Sequence, residues 1–157
     1  MKQLLLIGIG PGNPRQITFE AVDALNRAQV FFVLDKGAIK DELLQLRKDI
    51  LERYITQSSF RIVQVQDPQR DGQAADYVGA VQDWHQQRAA LFAQLLENEL
   101  ADGECGAFLL WGEPTLYDST LRILESVKAR GLAFDLEVIP GISSVQLLLP
   151  LAMSLVQ

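Results

Sequence analysis

Residues 3–14, QLLLIGIGPGNP, pass from an unbroken apolar segment directly into a loop of interleaved glycine and proline. Successive side chains of an extended chain face opposite ways, so the apolar run at 3–9 describes a strand covered on both faces, as in parallel sheets flanked by helices. The loop that follows has an unusual chemistry. Gly8, Gly10 and Gly12 allow positive φ and close approach of the backbone to a ligand, whereas Pro11 and Pro14 fix φ and remove N–H groups. It is close-fitting and poor in hydrogen-bond donors.

Working outward, Thr18 is placed to cap a helix carrying Phe19, Val22, Leu25 and Ala28 at helical spacing. VFFVL at 30–34 reads as a second buried strand ended by Asp35-Lys36-Gly37. Ile39, Leu43, Leu46, Ile50 and Tyr54 then mark a helix with Asp41 and Glu42 in its first turn and Arg53 in its last, in agreement with the helix dipole. FRIVQVQ at 60–66 is a strand and DPQRDGQ at 67–73 a polar loop. Tyr77, Val81, Trp84, Arg88, Leu91 and Leu95 step by four and three along a long helix to about Leu100. GAFLLW at 106–111 is a strand, GEPTLYDS at 112–119 a loop, and LRILESVKAR at 121–130 a helix stopped by Gly131. FDLEVI at 134–139 is the last strand, after which PGISS turns into a final helix. The alternation predicts one α/β domain over residues 1–157, with a mostly parallel five-stranded sheet and helices on both faces.

Composition narrows the function classes. The chain has 157 residues, 48% of them apolar, and a formal net charge of −6 with its basic residues scattered, which argues against a nucleic-acid footprint. The apolar VQLLLPLAMSLVQ near the end is short of the ~20 residues of a membrane span and contains Pro150. The single cysteine, Cys105, precludes an internal disulfide and the start lacks a signal-peptide layout, so a reducing cytoplasm is expected. One cysteine and one histidine make a zinc site implausible, and no metal is expected. The lone histidine, His85, flanks the apolar stripe of its helix, and partial burial with a hydrogen-bonded ring is expected of it.

Parallel sheets bind ligands at the carboxyl ends of their strands, so the loops at 8–14, 35–37, 67–73, 112–119 and 140–144 should open on one rim. Three of them carry the Pro–Gly chemistry. A dinucleotide fingerprint needs glycine where Asn13 stands, and a phosphate loop needs Gly-Lys-Ser/Thr where Asn13-Pro14-Arg15 stands. A donor-poor loop instead suits a ligand without phosphate, such as a sulfonium cofactor toward which carbonyl oxygens can point. Each loop also has a plainer reading as a strand-to-helix connection, with Asp118 or Ser119, and Ser143 or Ser144, capping the helices that follow. A dinucleotide- or flavin-binding module and a non-catalytic association domain are the competing functional readings.

Taken in order and spacing, LLLIGIGPGNPRQIT, WGEPTLYDST and VIPGISS resemble the tetrapyrrole methylase family, over residues 3 to about 146. Within it, VFFVLDKG, ELLQLRKDILERY, QDPQRD and the Trp84-His85 pair are similar to a deacylating branch of aerobic cobalamin synthesis. The resemblance implies methyl transfer from S-adenosylmethionine to C-1 of precorrin-5 with release of acetate. It places cofactor contacts on Pro11, Gly112, Glu113, Leu116, Ser143 and Ser144, with Glu113 standing where the family often has aspartate. Asp35 and Asp118 are the candidates to orient the deacylating water, because each ends or follows a strand on the rim. Arg15, Lys36 and Arg70, on rim loops, are the candidates to meet substrate carboxylates. Family members are typically dimers of two-domain chains, so a homodimer is expected. The chain corresponds to the first domain alone, which implies weak or no turnover.

Overall fold

The computed structural model describes residues 1–35, 41–68, 77–115 and 119–156. Five strands form one sheet: β1 (Lys2–Gly8), β2 (Val30–Asp35), β3 (Arg61–Gln66), β4 (Cys105–Leu110) and β5 (Phe134–Ile139). Their order across the sheet is β3-β2-β4-β1-β5, and every pairing is parallel. β1 is flanked on both sides, with Leu6 opposite Phe108 of β4 and Val138 of β5. The helices are α1 (Phe19–Arg27), α2 (Asp41–Tyr54), α3 (Tyr77–Asn98), α4 (Thr120–Ala129) and α5 (Ser144–Val156). The expected α/β class and strand count both hold.

Alternation along the strands divides the core in two. Leu4 and Leu6 of β1, Phe32 of β2 and Phe108 of β4 pack under α3 and α4 with Phe92, Leu96, Leu124 and Val127. Leu5 and Ile7, Phe31, and Ala107 and Leu109 point the other way, toward Ala21, Ala24 and Leu25 of α1 and Ile50 and Leu51 of α2. A doubly covered strand must be apolar at every position, and β4 is buried throughout. Gly106 makes room within it: a Cβ there would lie 2.8 Å from the Phe32 ring.

Some details depart from the sequence reading. Of the expected stripe on α1, Leu25 and Ala28 are buried, Val22 is half-buried and Phe19 is 91% exposed, and the buried face is completed by Ala21 and Ala24. The small side chains of Ala21 and Ala24 let the helix lie close to the sheet, in one cluster with Leu5 and Ile7. Phe60 stands outside β3 and meets Phe31 edge-on at 5.7 Å. β4 begins at Cys105 and ends before Trp111. Thr18 caps α1 as expected, its Oγ1 accepting from the Ala21 N–H at 3.0 Å.

Candidate ligand-binding rim

All five strands run the same way, so the chain leaves each of them on one edge of the sheet. The three Gly/Pro loops after β1, β4 and β5, which are neighbours in the sheet, meet there in backbone contact. Gly10 and Gly112 form an antiparallel bridge in which the Gly112 N–H donates to the Gly10 carbonyl at 2.9 Å. The third loop presses against both others: a Cβ on Gly141 would lie 2.1 Å from the Gly112 carbonyl oxygen and 2.9 Å from the Gly8 carbonyl carbon. No other residue type fits at Gly141 without separating the loops.

In the first loop, Gly10 (φ +82°) and Gly12 (φ +124°) take conformations that side chains disfavour, with Pro11 between them at half exposure. Asn13 Oδ1 accepts from the Arg15 N–H at 2.9 Å, and the Tyr54 hydroxyl at the end of α2 donates to the Pro14 carbonyl. The loop is thus fixed from below by α2. Its available N–H groups are few, because the Ile9 N–H already donates to the Leu110 carbonyl and Pro11 and Pro14 have none.

The candidate residues divide by location. Pro11, Gly112, Glu113, Ser143 and Ser144 lie on the three joined loops. Glu113 Oε2 accepts from the Thr115 N–H at 2.8 Å and from the Thr115 hydroxyl, so its carboxylate braces its own turn. Ser143 is buried and its N–H donates to Gln146 Oε1 at 2.5 Å, the return half of a capping box, while Ser144 is exposed at the start of α5. Arg15 is exposed beside the first loop. Asp35 closes β2 opposite Gln66, and its side chain lies outside the described residues, as do Lys36, Arg70, Leu116 and Asp118.

Beneath the rim lies a polar layer that the sequence reading passed over. Arg88 of α3 and Asp67 after β3 form an ion pair, Nε to Oδ1 3.1 Å, with the two side chains only 4% and 5% exposed. Arg88 Nη1 donates to Ser119 Oγ at 3.2 Å, and its guanidinium stacks on Trp84 (4.8 Å) and Phe92 (5.2 Å). Ser119 precedes α4 but its side chain does not cap the helix; it receives Arg88 instead. Trp84 Nε1 donates to the Pro68 carbonyl at 2.7 Å. Arg47 of α2 lies over the Trp111 ring at 5.7 Å, and Trp111 in turn is 3.8 Å from where a Cβ on Gly12 would stand. A cavity of about 20 Å³ between Phe32, Leu34, Arg47, Arg88, Leu110 and Thr120 has room for roughly one water. The signal for this layer was present in the sequence. An arginine on an apolar helical stripe has to find an acid, and Asp67 is the first residue after β3.

His85 was expected to have a hydrogen-bonded ring. Its ring is half-buried 5.1 Å from that of Trp84, and no hydrogen bond holds it among the described residues. Burial, then the nearby charges of Arg122 and Arg88, hold its pKa below the usual histidine value.

Comparison with known proteins agrees with this geometry. The family model of tetrapyrrole (corrin/porphyrin) methylases matches residues 3–153. The chain is 50% identical over 149 residues to the precorrin-6A synthase [deacetylating] of Sinorhizobium sp, covering 94% of this chain and 57% of that protein. It is 28% identical over 150 residues to the precorrin-2 C(20)-methyltransferase of the same source, covering 91% of this chain and 55% of that one. Among solved structures, a cobalamin synthesis related protein (CobF) from Corynebacterium diphtheriae superposes with a TM-score of 0.72 at 37% identity, over 94% of this chain and 56% of that one. The chain thus spans little more than half the length of these relatives. With the fold, the three joined loops and the matched span in agreement, the chain belongs to the tetrapyrrole (corrin/porphyrin) methylase family.

Proposed function

We propose that this chain is the S-adenosylmethionine-binding first domain of a methyltransferase of the precorrin-6A synthase (deacetylating) type, acting in cobalamin synthesis on C-1 of precorrin-5 with release of acetate. The observation that carries the reading is the contact of the loops at Gly10, Gly112 and Gly141 on one rim, which leaves a donor-poor surface of peptide groups. Such a surface suits a sulfonium better than a phosphate, since exposed carbonyl oxygens favour a cation. Pro11, Gly112, Glu113, Leu116, Ser143 and Ser144 would hold the cofactor, which supplies the methyl group. The half-identical relative from Sinorhizobium supports the choice of macrocycle.

Within this reading the chain's own residues align and bind. Transfer of a methyl group to a ring carbon demands alignment more than a strong base, and rigid loops joined through their backbones provide it. Arg15, Lys36 and Arg70 would meet carboxylates of the macrocycle, and Asp35 or Asp118 would orient the water that removes the acyl group. Work in the cytoplasm as a homodimer completes the reading.

Titration of S-adenosylhomocysteine into the chain by calorimetry tests it. Saturable binding at one site per chain, weakened in Gly141→Ala, is expected. Absence of binding, or a thermal shift with NAD or FMN in its place, would overturn it.

One observation favours a second reading, a non-catalytic association domain. Helix α5 presents Val145, Leu147, Leu148, Leu149 and Met153 to solvent. Concentration-dependent mass in sedimentation, without cofactor binding, would select that reading.

A further inference from the structure

A groove on the flank of the molecule, between α3 and α4, collects positive charge in a chain whose net charge is −6. It is an open depression of about 140 Å³ lined by His85, Gln86 and Ala89 of α3, by Arg122, Ile123 and Ser126 of α4, and by Arg130 just beyond it. Ala89 and Ile123 are buried and form an apolar floor. No carboxylate lines the groove, and neither Arg122 nor Arg130 forms an ion pair among the described residues. Behind the floor the charge of Arg88 is already matched by Asp67. On the two helices, Asp83 accepts from Gln87 at 3.0 Å and Glu125 is exposed, and neither lines the groove.

We propose that the His85–Arg122–Ser126–Arg130 groove is a binding site for a small multivalent oxyanion, of phosphate or polycarboxylate chemistry, separate from the Gly/Pro rim. Two guanidiniums and a hydroxyl offer donors from α4 and the residue that ends it, and the imidazole lines the groove from α3. An apolar floor strengthens charge contacts above it by lowering the local dielectric. An anion relieves the mutual repulsion of the cations and favours protonation of His85, so binding takes up a proton. The proposal is independent of the cofactor reading, because it uses none of the rim residues.

His85 is the only histidine of the chain, so its ring resonances give an unambiguous reporter. The experiment follows the His85 titration by NMR in sodium chloride, sodium sulfate and sodium citrate at matched ionic strength, using the full 157-residue chain. Sulfate keeps its charge over the whole range and stands for a tetrahedral oxyanion; citrate stands for a polycarboxylate. The titration midpoint should rise by roughly half a pH unit in at least one of them relative to chloride, the scale of one exposed ion pair. A response to sulfate alone assigns the groove to tetrahedral oxyanions, and one to citrate alone to polycarboxylates. In Arg122→Gln, an exposed and conservative change, the midpoint in chloride should rise and the response to the anion should fall by about two- to fivefold. Equal midpoints in all three salts would overturn the proposal, as would an anion response left intact in an Arg122→Gln/Arg130→Gln double variant.

Discussion

Arg88 and Asp67 form a charge pair that is almost wholly removed from water, and through it the end of β3, the start of α4 and the middle of α3 share one guanidinium. A pair of this kind is costly to bury and costlier to break, since one charge left alone inside has no solvent to turn to. Arg88→Met should therefore lower stability by about 3–5 kcal/mol in urea unfolding. Asp67→Leu combined with Arg88→Met should recover a large part of that loss. A double variant no more stable than the singles would show that the Ser119 and Trp84 contacts matter more than the charge.

The close approach of Gly141 to Gly112 makes a sharp contrast with Gly103. A Cβ at Gly141 meets the Gly112 carbonyl at 2.1 Å, whereas one at Gly103 meets nothing within 4 Å, although its φ of +82° is unfavourable for side chains. Gly103→Ala should cost about 1–2 kcal/mol, the price of a left-handed backbone, and leave S-adenosylhomocysteine affinity unchanged. Gly141→Ala should lower that affinity by roughly tenfold or more, because even small misplacement of a positioning loop is severe. Calorimetry on both variants distinguishes the two effects.

His85 gives the fold a dependence on pH with a definite sign. Its pKa in the folded chain lies below the ordinary 6.5, first through burial and then through Arg122 and Arg88. Between the folded value and the unfolded one, the unfolded chain holds more protons, so stability rises with pH across that window and falls on acidification through it. Thermal unfolding between about pH 5 and about pH 7.5 should show a steeper acid loss in the wild type than in His85→Asn. Identical slopes in the two proteins would mean that other groups carry the dependence.

Asn26 joins α1 to the end of α2. Its Nδ2 donates to the carbonyls of Val22 and Tyr54, each at 3.0 Å, and its Oδ1 accepts from the Thr56 N–H at 2.8 Å and the Thr56 hydroxyl at 3.0 Å. Asn26→Ala should lower stability by about 1–3 kcal/mol, since it leaves partly buried partners unsatisfied. Asn26→Asp keeps the acceptor and should lose the Tyr54 and Val22 contacts alone. Denaturation midpoints of the two variants test this division.

The sheet was legible in the sequence because its strands are buried on both faces: LLLI, VFFV and AFLL carry their meaning without regard to register. FDLEVI, at the sheet edge, was legible to the residue because turn-forming Gly131 and Pro140 bound it closely. The meeting of the three Gly/Pro loops followed from parallel topology, which sends strand ends to one edge. What periodicity could not give is partner identity across the fold. Arg88 falls on a helical stripe of apolar residues, yet its guanidinium lies over the rings of Trp84 and Phe92 and pairs with Asp67. Phe19 matched a helical spacing yet faces solvent, because period alone does not say which of two apolar faces meets the sheet.

The placement of β1 between β4 and β5 has a consequence for how the protein is made. Of the five strands, β1 is made first and finds neither of its neighbours until Cys105–Leu110 and Phe134–Ile139 have been synthesised. β2 and β3 can pair sooner, about 30 residues apart, while LLLI waits as an apolar stretch without a partner. Such an apolar strand, held unpaired in the nascent chain, is a natural client for a chaperone that binds extended apolar segments.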